Sequence, residues 1–148
     1  MKECPHCGCV LTKGRSLPDH RRFFALIAKA YENWPEKHEF QPENSEQLRA
    51  WLTCKAGYRE STPIHMPDMA TDRMRDLFRL SIEAAIAAAG GVAFVVPYRD
   101  VVAVVRPKSI AWDKIDQREF SKLRDAVSDV IEAETGIKVD DLMRERAA

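Results

Sequence analysis

No apolar run in this chain approaches the roughly 18 residues that a membrane-spanning helix needs. The formal net charge of the 148 residues is zero, so no global field draws the protein onto nucleic acid or an anionic membrane. The opening MKECPHCGC lacks the features of a secretory signal peptide. Without such a signal, crowded cysteines suggest metal binding or reduced thiols, not a disulfide framework, and a cytoplasmic location is expected. There is no Walker loop, no GxGxxG and no GxSxG, and no βαβ pattern surrounds the single CxxC. Internal repeats and low-complexity linkers are also missing. These absences argue against an enzyme and favour one domain of ordinary size.

Hydrophobic residues make up 45% of the chain, enough for a real core. Charge is uneven along it. Residues 1–30 carry an excess of about +4, and residues 116–146 an excess of about −3. An anion-binding surface should therefore be local and N-terminal.

The stretch RSLPDHRRFFALIAKAYENW organises the reading. Ser16 can cap a helix that Leu17 and Pro18 open. Phe23, Phe24, Ile27, Tyr31 and Trp34 recur at helical spacing, with His20 on the same stripe. Lys13, Arg15, Arg21 and Arg22 crowd the start of this helix, where the backbone already carries partial positive charge and Asp19 offsets only part of it. A bound phosphate would relieve that placement. A solvated cluster beside a core helix is the plainer alternative.

Further along, Asn44 with Gln47 reads as a capping box for a second helix carrying Leu48, Trp51, Leu52 and Ala56, with Gly57 as its stop. Tyr58 to Asp68 is an irregular connection or a short strand. Thr71 can cap a third helix whose apolar stripe is Met74, Leu77, Phe78, Ile82, Ala85 and Ile86, ended by Gly90 and Gly91. Val92 to Val96 and Val101 to Val105 read as an antiparallel hairpin turning at PYRD, with both faces at least partly covered. Arg106-Pro107 should break the second strand. A last long helix begins at Asp116 and stops at Gly136, with Phe120, Leu123, Val127, Val130 and Ile131 inward. VDDLMRERAA can add a helical turn or two. The fold class is α+β: three to four helices on a small antiparallel hairpin or sheet, with residues 1–14 as a separate cysteine-rich knuckle and 15–148 as one domain.

Cys4 and Cys7 flank a tight turn that suits two zinc-binding thiolates. No second CxxC or HxxxH pair exists. The remaining ligands must come from Cys9, Cys54 or one of His6, His20, His38 and His65, with His20 and Cys54 the more attractive if the first two helices pack side by side. Unliganded thiols remain the alternative. Basic and aromatic residues alternate at RRFF, AGYRE, PYRD and KSIAWDK, a pairing that holds single strands with cations on phosphates and rings under bases. Phe23, Phe24 and Trp51 sit at core spacing. Tyr58, Tyr98 and Trp112 lie in turns or breaks and are the better stacking candidates.

The order RSLPDHRRFFALI, KAGYRE and RPKSIAWDKIDQREFSKL resembles a family of small phage and prophage proteins. More distantly it is similar to the NinB recombination accessory proteins of lambdoid phages. The resemblance covers about residues 13–135. It implies single-stranded DNA binding by a homodimer that helps to load a recombinase, and it brings no catalytic residues. The knuckle and the third helix depart from NinB. A phage factor that blocks or redirects a host complex through its acidic C-terminal helix is the second expectation.

Overall fold

The buried positions of α1, Leu17–Glu32, explain why it can anchor the rest. His20, Phe23, Leu26, Ile27 and Ala30 follow one another at three- and four-residue steps and all face inward. The computed structural model describes residues 17–66, 68, 71–110 and 115–144. Phe24 is half-buried, Tyr31 lies at the surface, and Trp34 falls beyond the helix end at Glu32. The proline-punctuated loop that follows is well tied. Gln41 Nε2 donates to the carbonyls of Pro35, Glu36 and His38 at 3.0, 3.1 and 2.7 Å. Trp34 Nε1 donates to the Phe40 carbonyl at 2.8 Å.

Helix α2, Ser45–Lys55, starts where Asn44 Oδ1 accepts the Gln47 N–H at 2.8 Å. Gln47 Oε1 returns the bond one residue earlier than a capping box would, accepting the Glu43 N–H at 2.7 Å. Gly57, at φ +96°, takes the left-handed conformation that releases the chain from the helix. Strand β1, Arg59–His65, follows, and then α3, Asp72–Ala88, capped by Thr71. Strands β2, Phe94–Tyr98, and β3, Val101–Pro107, form the expected hairpin. Helix α4, Gln117–Thr135, has the Asp116 cap and Gly136 stop read from the sequence. Helix α5, Val139–Arg144, completes the order.

The class is α+β, as expected, but the described residues hold five helices where three to four were expected, α5 being the extra one. They also hold a third strand, β1, so that of the two readings of Tyr58 to Asp68 the short strand is the one found. The sheet order is β1-β3-β2, antiparallel throughout. Strand β3 stops at Pro107, as expected of the Arg106-Pro107 break, but it runs two residues past Val105 because Arg106 and Pro107 pair with Glu60 and Arg59 of β1. Pro63 and Pro97 lie on the two outer strands, where a residue without an N–H leaves no ladder bond unmade.

Register sorts the sheet into two faces. Val102 and Val104 stand with Ile64 and Thr62 on one side and with Pro97 and Val95 on the other. That face is covered by α3 through Phe78, Ile82 and Ile86, which pack on Met66, Val95 and Val102. The opposite face carries Val105, Ala103 and Val101 beside Phe94, Val96 and Tyr98, and α2 covers only its Arg59–Phe94 end. Both faces are thus partly covered, as the valine pattern implies.

The main core lies elsewhere, among α1, α2, α4 and α5. Phe23, Leu48, Leu52, Phe120, Leu123, Val127, Ile131 and Leu142 are fully buried there. Each contributes about 1.5–3 kcal/mol by leaving water. By contrast α3 has no buried residue. Met74 and Leu77, expected on its inner stripe, are 51% and 55% exposed. The helix is apolar on two sides and the sheet takes only one.

Candidate nucleic-acid interface

Of the residues singled out from the sequence, Cys4, Cys7, Lys13, Arg15 and Trp112 lie outside the described residues, as do Cys9 and the Ser16 cap. Arg21 and Arg22 are both exposed on the first turns of α1. Neither enters an ion pair among the described residues. Asp19 is turned toward α4: it accepts a hydrogen bond from Gln117 Nε2 at 2.9 Å and pairs with Arg124 at 3.6 Å. Arg22 and Arg124 share the lining of a cleft of about 440 Å³ with Ser128 and Asp140. This end of α1 therefore gathers three guanidinium groups, with Asp19 and Asp140 as partial counterweights.

His20 is fully buried, and its environment is aromatic. Its ring lies 4.9 Å from that of Phe24 and 5.7 Å from that of Phe120. Cys54 is buried on α2, and burial pushes its thiol up from the usual range, with Arg59 and Arg49 pulling the other way. A raised thiol is a poorer metal ligand, because the thiolate is what binds. No group of three or more His, Cys, Asp or Glu side chains is arranged to hold a metal among the described residues. Tyr58 is half-buried against the main core, whereas Tyr98, at the hairpin tip, is 65% exposed with the Arg99 guanidinium 5.4 Å from its ring centre.

Sequence reasoning missed a second basic site. Trp51, near the C-terminal end of α2, is half-buried inside a cluster of rings. Phe40 stacks parallel to it at 5.0 Å, and Trp34 and His38 meet it edge-on at 5.6 and 5.5 Å. Phe94 of β2 closes the cluster against Phe40 at 5.8 Å. His38 is held within it: the Phe40 N–H donates to Nδ1 at 3.0 Å, which leaves Nε2 to donate to Glu134 on α4. Beside these rings a cleft of about 250 Å³ opens between α2 and the sheet. Trp51, Cys54, Phe94, Val96 and Val105 wall it, and Lys55 and Arg59 stand at its rim. Lys55 Nζ lies 5.2 Å from the Trp51 ring centre, within cation–π reach. Arg59 Nη1 donates to the Cys54 carbonyl at 3.0 Å.

Half of this site is visible locally. Lys55 follows Trp51 by four residues, one helical turn, and Arg59 comes just after the Gly57 stop. Phe94 and Val96 arrive because the sheet carries β2 to the end of α2, a placement for which the sequence offers no signal. The residues that line the cleft include two cations, a thiol and no carboxylate.

No protein-family model, no curated protein and no solved structure matches this chain.

Proposed function

We propose that this is a non-enzymatic, phage-derived accessory protein that binds single-stranded nucleic acid, with DNA in recombination as its setting. One observation carries the reading. Arg21 and Arg22 stand exposed and free of ion pairs among the described residues, on the first turns of a helix whose backbone adds its own positive end. Lys13 and Arg15 extend the same basic stretch in sequence. Tyr58 and Trp112 are the stacking residues of this reading, and a zinc ion on Cys4 and Cys7 would order the knuckle. The protein acts as a homodimer.

Salt dependence tests the proposal. Affinity for a labelled oligonucleotide should fall steeply as salt rises. Arg21→Ala with Arg22→Ala should flatten the log–log slope by roughly one unit for each phosphate that loses its cation. Sequence preference should not change, since phosphate contacts position a strand without reading it. Equal affinities and slopes for wild type and double variant would remove the reading. A second reading, a module that docks on a host or phage protein, is favoured by the outer side of α3, where Met74, Leu77 and Leu80 are each about half exposed. Salt-insensitive capture of a protein partner would support it.

A further inference from the structure

The cleft between α2 and the sheet has the chemistry of a nucleotide site, and this inference deepens the single-strand reading. We infer that the cleft takes one nucleotide: its base enters the slot walled by Trp51, Phe94 and Val96, and its phosphate rests on Lys55 and Arg59.

Size argues for a single ring system. A volume of about 250 Å³ falls below the roughly 300–1,000 Å³ of pockets that enclose drug-sized ligands. A base fits such a slot while its sugar and phosphate stay at the rim, where the cations are. Wall chemistry argues for a planar apolar group. Phe94 and Trp51 present ring surface, and Val96 and Val105 present branched aliphatic surface. Every base has a π-face, so such walls accept bases without strong sequence preference.

Charge argues for an anion outside the slot. Two cations and no carboxylate line it. The C-terminal end of a helix carries partial negative charge, which would ordinarily repel a phosphate. Here that end is covered: Ala56, Gly57 and Tyr58 donate backbone N–H groups to the carbonyls of Leu52, Cys54 and Thr53 at 2.9, 3.1 and 3.1 Å. Arg59 adds its own bond to the Cys54 carbonyl, which anchors the guanidinium beside the cleft and leaves donors to spare. Lys55 rests on the Trp51 ring, an interaction that is weak at a solvent-exposed site and easily exchanged for a phosphate.

Free mononucleotides and strands share this chemistry, and the test separates them. Wild type, Lys55→Glu, Val96→Trp and the Arg21→Ala/Arg22→Ala double variant are titrated with adenosine monophosphate and with labelled oligothymidylate. Folding is checked for each by thermal melting. Val96 is 49% exposed, so tryptophan there fills the slot from its open side without entering the core. Alkylation of Cys54, read by peptide mapping, reports occupancy independently, because a bound base covers the wall that Cys54 forms. Lys55→Glu and Val96→Trp should each weaken strand binding between about fivefold and 150-fold, the range for removing one stacked base. Saturating strand should slow Cys54 alkylation in wild type and in the Arg21→Ala/Arg22→Ala variant, but not in the two cleft variants. If strand binding depends on Arg21 and Arg22 but ignores both cleft variants, the cleft inference is overturned and the strand reading stands. If adenosine monophosphate protects Cys54 while no strand binds, the cleft is a free-nucleotide site and the strand reading falls. If neither ligand protects Cys54 nor responds to the cleft variants, the inference is wrong.

Discussion

Replacing His20 by alanine removes a ring that is completely shielded from solvent and packed between Phe24 and Phe120. The loss includes the transfer free energy of the ring atoms and the void left among side chains that themselves pack tightly. Phe120 also meets Phe23 edge-on at 5.4 Å, so relaxation into the void would disturb a second aromatic pair. The expected cost is about 2–4 kcal/mol, in line with large-to-small changes in closed cores. Because the whole fold is worth only about 5–15 kcal/mol, this should be plain in a urea melt as a lower midpoint at unchanged slope. His20→Phe keeps a ring in the same place and should cost less than His20→Ala. Zinc content, measured alongside, separates packing from ligation. A packing ring leaves the metal content of His20→Phe equal to that of wild type. An alanine variant as stable as wild type, or a phenylalanine variant as damaged as the alanine one, would refute the packing argument. Loss of zinc on His20→Phe would make the residue a ligand.

Glu132 Oε1 accepts the Val139 N–H at 3.0 Å, and this bond, helped by Lys138, holds its carboxyl below the ordinary value of 4.5. The folded state therefore binds that proton less tightly than the unfolded chain. The bond's contribution is complete above the ordinary value and is lost as pH falls through the folded one. Wild type should thus exceed Glu132→Gln in melting temperature at neutral pH, and the gap should close in acid. Arg99, at φ +55°, occupies a left-handed conformation that a side chain disfavours, so Arg99→Gly should raise stability by about 0.5 kcal/mol in a denaturant melt. Leu77 is 55% exposed on the outer side of α3; if that side joins two copies, Leu77→Glu should turn a dimer into a monomer in sedimentation.

What can be read from the chain is mainly what is settled within one turn of backbone. Asn44, Thr71 and Asp116 each accept the N–H three residues on, as their spacing implies. Gly57 and Gly136 adopt the positive φ that ends a helix. Errors arise where a neighbour decides. Periodicity places Met74 and Leu77 on the α3 stripe, because it finds an apolar side but not which side the sheet covers. Strand β1 is ambiguous in the sequence because RESTPIH alternates nothing: only Ile64 is even half-buried. It exists because β3 offers an edge. Strand β2 starts two residues later than the valine run, since its ladder begins at the Phe94–Val105 pair. Arg21 and Arg22 are legible because they flank a strong helical stripe. Phe94 beside Lys55 and Arg59 is not, since no local pattern links β2 to the end of α2.

The two basic places bear on how a neutral protein could hold an anionic strand. With zero net charge the long-range field that speeds encounter is weak, and at physiological salt fields fade over about 8 Å. Association should then run at the roughly 10⁵–10⁷ per molar per second of unsteered docking, and affinity should rest on contacts made after arrival. Salt would act mainly on those contacts. Guanidinium groups at Arg21 and Arg22, and the phosphate contacts of Lys55 and Arg59, would contribute the salt-dependent part, while the stacking of a base against Phe94 and Trp51 would persist as salt rises. A strand long enough to reach both places should therefore lose affinity with salt and then level off. One that reaches only the α1 end should keep falling. Stopped-flow association rates that climb steeply at low salt would contradict this division, because they would require a steering field that the balanced charge does not supply.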